Sequence, residues 1–319
     1  MSFQDIKGQD RAINILQGYI QHLTLRGSYL FTGQEGIGKK LVAKTLAKAV
    51  NCENGTSDSC DKCPSCVKID KSQHPDVHII QEDNAQIKID AIRQMQREIN
   101  LRPYEARFKV FIIDNAHNLT AEAANSLLKM LEEPPANTII ILISDKPTLL
   151  FKTIISRCKI LKFSSLPRMS LERILKQDYA LDSHAAHFLA YFSEGRIGRA
   201  LKLKDTQILR EKNRIIDNFS ISRKPRLEDL PIQEKEDLRN CFNILATWFR
   251  DIYLVKIGMP FNEIINFDRK EELLSTMGKF SFLDLNEIVN CISDSVLYLE
   301  QNLNTRLVLH NLGAHIWKE

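Results

Sequence analysis

Four groups of residues in this chain have types and spacings that could do chemistry. The first is Gly33-Gln34-Glu35-Gly36-Ile37-Gly38-Lys39-Lys40. Its glycines and lysine follow a short apolar run and open an Ala-, Leu- and Lys-rich stretch, the context a phosphate-binding loop requires. Backbone amides at such a helix start can cradle phosphates, and Lys39 can reach the terminal ones. A loop that turns nucleotide over carries Ser or Thr next, whose hydroxyl binds magnesium. Here the residue is Lys40, which cannot ligate a cation and repels one.

The second group closes the apolar run Val110-Phe111-Ile112-Ile113, followed by Asp114-Asn115-Ala116-His117. Asp114 could hold magnesium through water. A hydrolase needs a neighbouring base to polarise the attacking water, and Asn115 has no basic carboxylate. His117 reads as a surface or loop histidine rather than a base over the phosphates. Ser144, at the end of the next apolar run, completes the set of candidate nucleotide-facing residues. Losing both the magnesium hydroxyl and the acid predicts slow or absent hydrolysis. Whether ATP and magnesium still bind is left open by the sequence.

Cys52, Cys60, Cys63 and Cys66 form the third group, in one short insertion. Two residues separate Cys60 from Cys63 and Cys63 from Cys66, a spacing that lets neighbouring thiolates face one ion. With Cys52 they predict a closed, structural four-thiolate zinc site. Cys158, Cys241 and Cys291 are scattered and read as core residues. The fourth group is Ser156-Arg157-Cys158. An arginine presented at a subunit edge can stabilise charge on a neighbour's terminal phosphate.

These groups must be positioned by regular elements. Helical spacing is expected over Asp10–Leu23, Gly38–Val50 and Ile89–Leu101, and strands at Ser28–Thr32, Val77–Ile80, Phe108–Ile113 and Thr138–Ile143. Thr120 is an N-cap for a helix ending at Pro134-Pro135. Continuous apolar strands alternating with helices predict a parallel sheet covered on both faces. Beyond Phe163 the pattern is helical only. It breaks near Gly195 and Gly198, then at a polar linker, Ser220–Glu228, and ends in a bundle whose stripe is Ile288, Ile292, Val296, Leu299 and Leu303.

At 319 residues, 44% hydrophobic and 26% charged, the chain is long enough for two or three domains. A net charge of +4 is too mild for a dedicated nucleic-acid binder, which counts against a zinc-dependent DNA-binding module. Thr138–Ser144 is too short an apolar run to span a bilayer. The start lacks the pattern of a secretory leader. A cytoplasmic protein without a membrane partner is expected, and its cysteines are then expected as metal ligands or buried thiols rather than disulfides.

Taken together, Phe3-Gln4-Asp5-Ile6-Lys7-Gly8-Gln9, the phosphate loop, the cysteines behind it, Leu127-Leu128-Lys129-Met130-Leu131-Glu132-Glu133-Pro134-Pro135 and Ser156-Arg157-Cys158 stand in the order seen in AAA+ clamp-loader subunits of bacterial DNA polymerase III. Asn302-Leu303-Asn304-Thr305-Arg306-Leu307 resembles a stretch of their C-terminal collar. The chain therefore resembles that family over nearly its whole length. Gly198, in Gly195-Arg196-Ile197-Gly198-Arg199, stands where motor subunits place a sensor arginine. With Lys40 and Asn115 it matches the delta-prime type.

The resemblance implies an α/β AAA+ domain over 1–165 with a zinc insertion at 52–66, a helical lid over 166–208 and an all-α collar over 209–319. It implies an open five-membered ring, with gamma/tau and delta subunits as partners, that places a sliding clamp on primed DNA. In that ring this chain is a stator lending Arg157 to a neighbour and is not itself catalytic. The alternative is an ATP-hydrolysing gamma/tau-type motor or a stand-alone AAA+ ATPase.

Overall fold

The computed structural model describes residues 1–55, 57–81, 86–221, 235–301 and 303–316. From residue 222 onward the expected linker Ser220–Glu228 lies outside the described residues, as does Asn302 of the C-terminal motif. Two compact units form: Met1–Leu166 together with Arg196–Arg199, and Pro167–Gly195 together with Ala200–Glu319.

The first unit is built on five parallel strands, β1 (Gly27–Thr32), β2 (Val77–Ile80), β3 (Lys109–Ile113), β4 (Thr138–Ser144) and β5 (Lys159–Lys162), in the order β2-β3-β4-β1-β5. Every residue of β3 and β4 is buried, as expected of strands covered on both faces. Side chains alternate between two cores, because a strand has a period of two. Tyr29, Phe31, Val110, Ile112, Ile139 and Ile141 pack with α1 (Asp10–Gln21) and α2 (Lys39–Asn51). Leu30, Phe111, Ile113, Ile140 and Leu142 face the opposite core. There they meet α4 (Ile89–Ile99), α5 (Ala121–Glu132) and α6 (Lys152–Ile155), while α3 (Pro64–Asp70) sits in the cysteine insertion.

Two of these elements lie outside the sequence expectation. β5 reads Lys-Ile-Leu-Lys, and only Leu161 is buried, so an edge strand of four residues leaves little apolar signal. Helix α3 starts at Pro64, whose fixed φ suits a first helical position. Helix α4 stops at Ile99 instead of Leu101, which is exposed.

The second unit is helical: α7 (Arg168–Tyr179), α8 (Ser183–Phe192), α9 (Ile197–Asp205, its first turn grouped with the first unit), α10 (Ile208–Ile221), α11 (Lys235–Lys256), α12 (Lys270–Thr276), α13 (Phe282–Glu300) and α14 (Thr305–Ile316). Asp182 caps α8 by accepting from the amides of His184 and Ala185. Ser281 and Asp284 form a reciprocal capping box on α13. Helices α11, α13 and α14 pack in succession around Trp248, Phe249, Ile288 and Ile292. The expected stripe holds at Ile288, Ile292 and Leu299, with Val296 half-buried. Leu303 lies past the end of α13 and is 48% exposed. No helix among the described residues is long and apolar enough to cross a membrane.

Candidate functional site

Parallel strands bring their carboxyl ends to one edge, where loops can converge on a ligand. Here β1 ends in the phosphate loop, β3 in Asp114 and β4 in Ser144. The register pairs Thr32 with Ser144 and Ile113 with Leu142, which puts these ends side by side. Gly33, Gly36 and Gly38 all have positive φ, at 144°, 77° and 98°. At Gly33 a Cβ would also stand 2.5 Å from the carbonyl oxygen of Phe163, so no other residue fits there without displacing backbone. Gly38 opens the 13-residue α2, whose N-terminus has no side-chain cap. Lys39 is buried and donates from Nζ to the carbonyls of Gly33 (2.5 Å) and Gln34 (2.6 Å). Burial pushes its pKa below the usual lysine range, against the opposing pull of Asp145, Asp114 and Glu35.

Lys40 Nζ lies 2.9 Å from Asp114 Oδ2. The residue that removes the magnesium hydroxyl thus also places an ammonium group against the carboxylate that would hold the metal. Asn115 adopts a left-handed conformation (φ 50°), and its amide donates to Asp114 Oδ1 at 3.1 Å. Ser144 is fully buried. Its Oγ accepts from the Lys146 amide at 3.1 Å and lies 3.3 Å from His117 Nδ1. His117 Nδ1 is also 3.3 Å from Asp145 Oδ1, and its side chain is only 7% exposed. His117 is therefore no surface histidine but a strut between the ends of β3 and β4. Asp145 was not singled out from sequence, although it directly follows the strand.

Arg196–Arg199 close over the phosphate loop within the same unit. The Gly198 amide donates to the Gly36 carbonyl at 2.8 Å. A Cβ on Gly198 would meet that same oxygen at 2.8 Å and Gly36 Cα at 3.3 Å. Gly198 is thus required by close backbone approach.

Cys52, Cys60, Cys63 and Cys66 come together at the far end of α2, each sulfur within 4.8 Å of the others. Tetrahedral zinc with bonds near 2.3 Å holds its sulfurs about 3.8 Å apart, so the cluster needs little adjustment to bind it. Cys60 Sγ accepts the Cys63 amide (3.3 Å), and Cys63 Sγ accepts the Cys66 amide (3.5 Å). Amides of Lys62 and Cys63 bring the Cys60 thiol down to about 6, favouring the thiolate a metal needs. Burial pushes the Cys52 and Cys66 thiols up, a cost that a bound cation would offset. The donor set fits zinc. Lys48 braces the loop from α2: it is 1% exposed and reaches Asp61 Oδ1 (2.5 Å) and Asp70 Oδ1 (3.1 Å). Cys241 and Cys291 are buried as expected, while Cys158 is half-buried.

Arg157 sits just before β5, at the edge where strands begin. Its Nε donates to Glu132 Oε1 at 2.6 Å and its Nη1 to the Thr153 carbonyl at 3.0 Å. Two motifs separated in sequence therefore meet, and Glu132 holds the guanidinium in place. Lys159 pairs with Tyr29 and Lys162 with Thr32. Gly33 is four residues beyond Tyr29, so at about 3.3 Å per residue roughly 13 Å of sheet separates the start of β5 from the start of the phosphate loop. Arg157 therefore lies by the end of β5 remote from the loop.

A family profile described as "DNA polymerase III, delta subunit" matches residues 8–167. The chain is 30% identical to DNA polymerase III subunit delta' of Bacillus subtilis (strain 168), over 97% of this chain and 94% of the relative. It is 35% identical to DNA polymerase III subunit tau of Escherichia coli (strain K12), over 65% of this chain and 33% of that protein. Among solved structures, a gamma subunit-related protein of Thermotoga maritima is 17% identical, with a TM-score of 0.46 over 96% of this chain and 99% of that one.

Proposed function

The chain belongs to the delta-prime family of bacterial DNA polymerase III clamp-loader subunits, and from that premise we propose that it is the non-hydrolysing stator of a clamp-loader ring. The observation that carries this reading is the Lys40–Asp114 ion pair at 2.9 Å. Phosphoryl transfer depends on a metal fixed between a hydroxyl and a carboxylate. In this chain the hydroxyl is missing and the carboxylate is already neutralised. Asn115 leaves no carboxylate to activate water, and Gly198 supplies no sensor cation.

The same reading gives Arg157 to a neighbour. Its guanidinium is held by Glu132 on the opposite edge from its own phosphate loop, which supports action on the nucleotide of an adjacent subunit. Gamma/tau and delta subunits would be the ring partners, with the sliding clamp and primed DNA as what the ring handles, in the cytoplasm. The division into an AAA+ domain, a lid over 166–208 and a collar over 209–319 goes with this proposal. Zinc held by the four cysteines would lock the insertion behind α2 in a structural role.

The test is ATP turnover by the purified chain with magnesium and primed DNA. Turnover no higher than background is expected. Turnover abolished by Lys39→Ala would instead make it a motor subunit or an independent ATPase.

A further inference from the structure

Residues 100–108 join α4 to β3 without forming helix or strand, so their backbone groups need partners from elsewhere. Those partners come from side chains that flank the cysteine insertion. The amides of Tyr104, Glu105 and Ala106 donate to the Asp76 carboxylate. The Phe108 amide donates to Asn51 Oδ1 at 2.8 Å, and Asn51 Nδ2 donates back to the Phe108 carbonyl at 2.9 Å. Lys68 Nζ lies 2.7 Å from both carboxylate oxygens of Glu105.

These anchors are of two kinds. Asp76 belongs to the sheet, because its own carbonyl accepts the Val110 amide at 2.9 Å where β2 meets β3. It holds the loop whatever the state of the thiols. Asn51 directly precedes Cys52, and Lys68 follows Cys66 on the short helix α3. Their positions are set by where those two cysteines lie. A four-thiolate loop draws its folding energy from the bound cation, so this second anchor is as firm as the site is full. The loop it holds displays Tyr104, 84% exposed, and Leu101, 65% exposed.

We propose that metal occupancy of the four-thiol site controls the order of the 100–108 loop and, through it, the presentation of Leu101 and Tyr104. The proposal rests on the four-thiolate reading and extends it from the insertion to a second, distant stretch of the chain. With the site filled, the loop is held from two sides, by Asp76 and by Asn51 with Lys68. With the site empty, Asp76 holds it alone. Local opening then becomes easier while the sheet stays closed.

The experiment is hydrogen–deuterium exchange of the full, reduced chain, read peptide by peptide, in the zinc-loaded form and after zinc is removed with a chelator. Zinc content is measured in both samples. Removal is expected to raise exchange over residues 103–108 by about tenfold or more, with α5 and β4 unchanged. Adding zinc back should restore protection. The double variant Asn51→Ala with Lys68→Ala keeps all four cysteines. Its loop should exchange fast even with zinc bound and respond little to the chelator. Wild-type loop exchange that ignores zinc overturns the proposal. So does exchange that rises equally in β4, which would mean general loosening, and so does a zinc-bound double variant with wild-type loop protection. Purified wild type that holds no zinc would overturn the four-thiolate reading itself, so the two failures are distinguishable.

Discussion

Helix α2 carries a ligand-type loop at each end, and the two ends have been treated in opposite ways. At its N-terminus the phosphate loop keeps its backbone, yet its metal-binding chemistry is answered from within the chain by Lys40 on Asp114. At its C-terminus four thiols converge with no internal cation on them, and amides already favour thiolate at Cys60. One end answers its metal chemistry from within the fold, and the other presents four thiols that could hold a metal. The difference shows that a motif's backbone and its chemistry can be kept or lost separately. Glycines are held by backbone approach, whereas a metal hydroxyl is one substitution from becoming an ammonium.

The most damaging way to probe this contrast is at the thiol end. Cys63→Ser should abolish binding of the one zinc expected per chain, and should destabilise the first unit on the order of 3 kcal/mol or more. Elemental analysis and thermal unfolding measure both, and a metal-free wild type of unchanged stability would end the zinc assignment. At the phosphate end the backbone, not the chemistry, carries the stability. Gly33→Ala combines an unfavourable φ with a 2.5 Å approach to the Phe163 carbonyl and should cost about 2–3 kcal/mol in chemical denaturation. A neutral effect would mean the loop is pliable.

The thiol end is also braced from outside, which acid can test. Lys68 on α3 bonds Glu105 at 2.7 Å. The adjoining amides of Tyr104, Glu105 and Ala106 donate to the buried Asp76 carboxylate. Burial opposes ionisation of Asp76, but those amides hold its carboxyl below the usual carboxylate range. A carboxyl whose pKa is lowered by folding stabilises above its unfolded pKa, about 3.9, and loses that contribution as pH falls through the folded value. Asp76→Asn should therefore cost about 2 kcal/mol at neutral pH, and the gap to wild type should close as the solution is acidified below about pH 4. A gap that stays constant with pH would show that the carboxylate charge is irrelevant. The smallest effect is expected at Lys40. Lys40→Ala removes a half-exposed ion pair and should change stability by less than about 1 kcal/mol, despite its consequences for ligand chemistry.

Much of the first unit was legible in sequence because β3 and β4 are continuous apolar runs and α5 is bounded by Thr120 and Pro134-Pro135. β5 was not, because a four-residue edge strand with lysine at both ends and only Leu161 buried leaves little apolar signal. The four cysteines were legible as a cluster, since three of them share short spacings. The pairings that define the site were not. Lys40 was read as a defect and Asp114 as a metal-holding carboxylate, but nothing in either segment shows that they touch. Glu132 and Arg157 belong to separate motifs that only the ends of α5 and α6 bring together. Gly198 read as a missing arginine, whereas its amide bond to Gly36 is a tertiary fact. Leu303 continued a helical stripe on paper after the helix itself had ended.

The central claim is that this chain lends an arginine and turns over no nucleotide of its own. Its most direct test is ATP turnover by a reconstituted loader carrying either Arg157→Ala or Lys39→Ala in this subunit, with assembly verified for both. Arg157→Ala should remove the turnover of the adjoining site, where a trans arginine contributes about 10³-fold or more, and Lys39→Ala should leave the ring's turnover unchanged. The reverse pattern, with Lys39→Ala lowering turnover and Arg157→Ala without effect, would contradict the account.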